Sequence, residues 1–322
     1  MTRATFTLAA LLALAIPLSL LAGRVWIDPA STPNAALILA ELRLPRAVLA
    51  LVVGGGLGAA GAAMQGYLRN PLADPGLFGI APGAALGAVI AIYIGAASTV
   101  LLNAFALAGA GGAMALLALI AGRTANPAHG IALFTLSGMM IASLAGALTS
   151  LAISLAPNAF AMSSIVTWLM GALTDRGWSD VTLAAPLTLA GVLVLWRAGR
   201  SLDALTLGEQ AARSLGVNPR ALMALMVLGT GLTVGSGVAV AGIIGFVGLI
   251  VPHLVRPLTD RRPSSLIVPS ALAGALLVLV ADVVCRILPL VTELRLGIAL
   301  SLIGAPFFLM LLLRMRASAG SA

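Results

Sequence analysis

Of the 322 residues in this chain, 61% are hydrophobic and 9% charged, at a mean hydropathy of +1.12. Soluble domains carry roughly 25% charged residues, so there is too little charge here to clothe a water-facing globule, and the remaining surface must meet lipid. The net charge of +8 comes from arginine alone, all 18 basic residues being Arg; it is scattered between apolar runs without a basic stripe, which excludes a nucleic-acid surface.

A helix needs ~20 apolar residues to cross the hydrocarbon core, and ten such stretches lie at about 5–23, 45–66, 78–96, 100–121, 130–154, 181–197, 220–240, 242–256, 266–288 and 296–313. No Asp, Glu or Arg interrupts the chain between Asp74 and Arg123, or between Arg123 and Asp175, so each interval holds two spans and a turn. The runs are too long and too little alternating for barrel strands. The expected fold is all-α and polytopic, with about ten transmembrane helices. The first span, with Arg3 ahead of Leu8 to Leu21, has the look of a signal peptide but lacks a clean small-x-small cleavage site, and is read as a helix.

The second span places Gly54, Gly58 and Gly61 at i, i+4 and i+7, one small-residue face for close helix approach, and Gly231, Gly235 and Gly242 do similar work later. Arg46-Ala47, Ala50-Leu51, Val53, Gly55 and Gly61 recur 174 residues on as Arg220-Ala221, Ala224-Leu225, Val227, Gly229 and Gly235. The pattern fits an inverted repeat of helices 2–5 and 7–10, or chance matches among abundant residues. With the N-terminus inside, the inner side carries 12 Arg against four acids and the outer side six against six; the positive-inside rule therefore puts both termini in the cytoplasm.

Between spans six and seven, Thr206-Leu207-Gly208-Glu209 reads as a capping box and Gly216 as a helix-stopping C′ glycine. That predicts a short cytoplasmic helix over about 207–215, with Asp203 capping another short turn before it. Without Lys there is no Gly-Lys-Ser/Thr phosphate loop, so the chain is not expected to hydrolyse nucleotide. Cys285 is alone, and His129 and His253 lack the clustered donors of a metal site.

The stretch from Leu207 to Val217, LGEQAARSLGV, resembles the coupling segment of the FecCD family, permeases of binding-protein-dependent ABC importers for iron-siderophores, haem and cobalamin. Arg43-Leu44-Pro45-Arg46, the Gln65 to Gly76 stretch ending Arg69-Asn70-Pro71-Leu72-Ala73-Asp74-Pro75-Gly76, Gly245 to Arg256 and Gly304-Ala305-Pro306-Phe307-Phe308 match in order, so the similarity spans nearly the whole chain.

The resemblance implies a type II ABC importer permease, one domain over 1–322 in the bacterial inner membrane. It would work as a homodimer with two separate ATP-binding subunits docked on a coupling segment at about 201–217, through Leu207, Gly208, Glu209, Ala212, Arg213, Leu215 and Gly216. A periplasmic binding protein would deliver the substrate. Arg43 and Arg286 match the outward arginines that pair with its acidic lobes, unless they only anchor helix ends. Asn70 and Leu72 fall where the family narrows its path, but the partner gate is not recognisable in Ile131-Ala132-Leu133.

Ferric siderophore is the first choice of cargo, with haem and cobalamin open. No enzyme activity or cofactor is expected. Rival readings are an ion-coupled carrier, for which only Asp282 approaches the membrane interior, and a membrane enzyme, for which no catalytic cluster exists.

Overall fold

The computed structural model describes residues 3–96, 98–122 and 130–319; Arg123 and His129 lie outside them. Among the described residues every regular element is helical. We label the helices α1 (Arg3–Leu21), α2 (Ala35–Leu68), α3 (Ile80–Tyr93), α4 (Thr99–Gly122), α5 (Gly130–Ser154), α6 (Ala159–Leu169), α7 (Trp178–Leu205), α8 (Glu209–Ser214), α9 (Pro219–Ala241), α10 (Val247–Val255), α11 (Pro263–Ile287) and α12 (Leu296–Ala319). Each of the ten expected spans is occupied by a helix. Eight are long and apolar enough to cross a membrane; α3 and α10 are short.

Span two begins earlier than expected. The apolar run alone placed its start at about residue 45, beside Pro45, which lacks an N–H and crowds the preceding turn. Instead a π-helical segment, Leu39–Arg43, widens the turn before it and α2 runs unbroken from Ala35. Helix α6 has no counterpart among the expected spans. Asn158 caps it, its side chain accepting from the Ala161 N–H at 2.8 Å, and it is only 11 residues long.

Helix α2 is the central element, 78% buried along its most apolar stretch against 22% for α1. Its glycine face explains this. A Cβ on Gly54 would sit 2.3 Å from the Gly274 carbonyl oxygen, on Gly58 2.0 Å from that of Ser270, and on Gly61 2.0 Å from that of Gly248. α2 is thus pressed backbone to backbone against α11 and α10, the contact that replaces the hydrophobic effect in lipid.

The two sets of four helices, α2–α5 and α9–α12, share a feature. The second helix of each is short and starts from a left-handed residue, Gly79 (φ 85°) and Phe246 (φ 67°). The two starts meet through Pro75: Asp74 accepts the Gly76 N–H at 2.7 Å, and a Cβ on Gly248 of α10 would sit 2.6 Å from the Pro75 Cδ.

Candidate functional site

The charged residues assort by end of the bundle, as the expected topology requires. A basin of about 480 Å³ at one end is lined by Arg24, Glu41, Arg43, Asp175, Arg176 and Glu293, all assigned to the outer side. The opposite end gathers Tyr67, Glu209, Arg213, Arg220 and Ile131 around a cavity of about 350 Å³.

At the outer end a buried charge cluster ties α2 to α11. Arg46 donates to Asp282 from Nη2 at 2.8 Å and from Nε at 3.0 Å, and also to Glu293. Arg286 Nε stands 3.1 Å from the same Asp282, whose side chain is fully buried. Glu293 entered the sequence reading only as a topology charge, and Arg46 also as a motif and repeat residue; the signal for their role was ionisable residues bordering otherwise uncharged spans.

Arg43 and Arg286, the expected docking pair, converge on α1. Arg286 donates from Nη1 to the Ala22 carbonyl at 3.3 Å and from Nη2 to Ser19 at 3.2 Å. Arg43 donates to the same Ala22 carbonyl and to Val25 at 3.3 Å. The last carbonyls of a helix have no partner within it, and these two guanidiniums supply one. Arg286 is buried while Arg43 remains half-exposed, facing the outer basin.

At the inner end the short helix expected at 207–215 is α8, but its capping box does not form. Helix α7 continues to Leu205, so Thr206 lies at its C-terminus and its hydroxyl donates to the Asp203 carbonyl at 2.7 Å. The N-cap is Gly208, at φ 100°, and Glu209 makes an i,i+4 pair with Arg213 at 3.6 Å. Asp203 does cap a helix, though a distant one: its carboxylate takes the Ser264 N–H at 2.9 Å and hydroxyl at 2.5 Å, at the start of α11.

Gly208 and Gly216, both at positive φ, bracket α8. Ala212 is buried against the bundle, and Leu207 and Leu215 stand 67% and 65% exposed on either side. Two bare leucines flank this glycine-bounded helix and make it an apolar knob. Asn70 lies on the turn after α2, its Oδ1 accepting the Leu72 N–H at 2.9 Å; Asn70 is exposed and Leu72 partly buried. Neither residue lines the cavity beside Ile131.

The profile of the FecCD transport family matches residues 11–314. The chain belongs to the FecCD family. Members are transport permease subunits. The chain is 36% identical to a vitamin B12 import system permease protein, BtuC, of Yersinia enterocolitica over 96% of its own length and 92% of the relative's. It is 37% identical to a hemin transport system permease protein, HmuU, of Yersinia pestis, with 86% and 83% covered. A solved structure described as an inward-facing conformation of a metal-chelate type ABC transporter superposes at a TM-score of 0.88, with 33% identity over 96% of this chain and 98% of that one. The FecCD permease is therefore an all-helical ABC importer permease of type II architecture.

Proposed function

We propose that this FecCD permease is the membrane subunit through which an ABC importer carries a metal chelate inward, from periplasm to cytoplasm, the chelate being a ferric siderophore, haem or cobalamin. The relatives named for vitamin B12 and hemin support the metal-chelate class. Residues 1–322 act as one permease domain in the bacterial inner membrane, both termini cytoplasmic, in accord with the excess of arginine on the inner loops. Two copies pair around a central path narrowed by Asn70 and Leu72, and two ATP-binding subunits drive them.

The observation that carries this reading is α8. It is too short to span, it is held to the bundle by Ala212, and it leaves Leu207 and Leu215 exposed. Such a knob transmits the motion of a separate ATPase through Leu207, Gly208, Glu209, Ala212, Arg213, Leu215 and Gly216. On the opposite face a periplasmic binding protein docks at the outer basin, with half-exposed Arg43 meeting its carboxylates and Arg286 setting the basin's floor.

Reconstitution in liposomes tests the proposal. The permease alone should hydrolyse no ATP; adding the ATPase and binding protein should give ATP-dependent uptake of one of the three chelates. Hydrolysis by this chain alone, or uptake driven by an ion gradient without ATP, would overturn it.

A further inference from the structure

A second inner-end feature is not absorbed by the coupling helix. A recess of about 190 Å³ opens beneath the end of α2, lined by Gln65, Arg69, Asn70, Thr206, Arg256 and Arg261 among others. Among the described residues none of its three arginines is paired with a carboxylate. The acids nearby in sequence are occupied: Asp203 by Ser264, Asp260 by Ser265 and Arg262, Glu209 by Arg213.

Arg256 is held in place rather than left to wave in solvent. Its Nη2 donates to Gln65 Oε1 at 2.8 Å, and buried Gln65 is itself fixed by its Nε2 donating to the Leu249 carbonyl at 3.2 Å. The Arg256 Nε is buried with no hydrogen-bond partner, and the Arg256 and Arg261 charges repel one another. A buried donor left unmade costs the desolvation of that group. Three like charges around a hollow, one with an idle N–H, is an arrangement completed by an anion.

We propose that this recess receives an acidic side chain of the ATP-binding subunit, a second contact beside α8; the inference rests on the importer reading above. Arg69 also lines the adjoining surface made by Leu207, Gly208, Glu209, Gln210 and Ala211, so recess and knob form one continuous face. A lipid phosphate fits the charge but not the place. None of the lining belongs to α1, α4 or α5, the least buried spans, and the recess lies under α2, the most buried.

The test uses the permease in lipid nanodiscs and the ATP-binding subunit that co-purifies with it. In the Arg69→Glu/Arg261→Glu variant both reversed residues are surface ones, and a carboxylate facing a carboxylate should weaken binding of the subunit about tenfold or more. The salt dependence of binding should flatten as well. Arg200→Glu, on exposed α7 surface outside the recess, makes half the charge change and should alter affinity less than about twofold, as expected for a screened exposed charge. Unchanged affinity in the double variant, with the wild type binding, overturns the recess and leaves the importer reading intact. So does loss of bound phosphatidylglycerol in native mass spectrometry with ATPase affinity preserved. Failure of the wild type to bind any ATP-binding subunit overturns both.

Discussion

Replacing Asp282 by Ala should cost the FecCD permease more stability than any surface charge change. Its carboxylate has no exposure and answers two guanidiniums, Arg46 through Nε and Nη2 and Arg286 at 3.1 Å. Removing it leaves Arg46 with Glu293 alone and Arg286 with only the Ser19 and Ala22 carbonyls. Breaking a buried pair by deleting one partner costs ~3–5 kcal/mol, since an uncompensated charge stays behind. The half-exposed Glu209–Arg213 pair, by contrast, is worth ~0.3–0.5 kcal/mol. Reversible SDS unfolding in mixed micelles reads the difference directly. The Asp282→Leu/Arg286→Met variant should be less damaged than the sum of its single changes, by ~0.5–3 kcal/mol of coupling. A loss under ~1 kcal/mol for Asp282→Ala, or strict additivity, would refute the buried cluster as a structural tie.

Gly58→Ala puts a Cβ 2.0 Å from the Ser270 carbonyl and should cost ~1–3 kcal/mol or more in thermal melts of purified permease. Gly111→Ala, with nothing within 4 Å, should be neutral or stabilising by ~0.5–1 kcal/mol. Glu209→Arg should leave the fold intact, the lost pair being small, while co-purification of the ATP-binding subunit falls; retention at wild-type levels counts against α8 as the coupling element. Arg43→Glu should weaken capture of the binding protein and flatten its salt dependence, because reversal sets like charges together. An unchanged salt slope would leave Arg43 as an anchor for α1 only.

The small-residue face was legible because helix contact in lipid leaves its trace in the contacting residues themselves, and Gly54, Gly58 and Gly61 make the contacts their spacing predicts. The ten spans were legible too, as apolar runs whose few charges fall towards their ends. Helix ends were less so. The Thr206-x-x-Glu209 pattern is local and says nothing of where the preceding helix stops; since α7 reaches Leu205, the threonine serves that helix instead. The start of span two was set too late because the π segment Leu39–Arg43 that carries the helix past Pro45 has no sequence mark. The ends of Arg43 and Arg286 were visible as charges, but their shared partner, the C-terminus of α1, lies 264 residues from Arg286 in the chain. Helix α6 escaped because 11 residues fall short of a span, although Asn158 ahead of it was an available cap signal.

The close fit of Pro75 on Gly248 bears on how such a transporter can move. It joins the loop that opens one short helix to the first turn of the other, one from each set of four. Hinging the sets apart there would open a void in a close-packed contact, so the middle of the chain is expected to move as one block. Opening would then be taken up at the periphery, where α5 and α12 present long apolar faces with exposed Leu136, Met140, Leu302 and Leu309. If two copies pair as proposed, each would then tilt whole against the other, a rocker rather than a hinge.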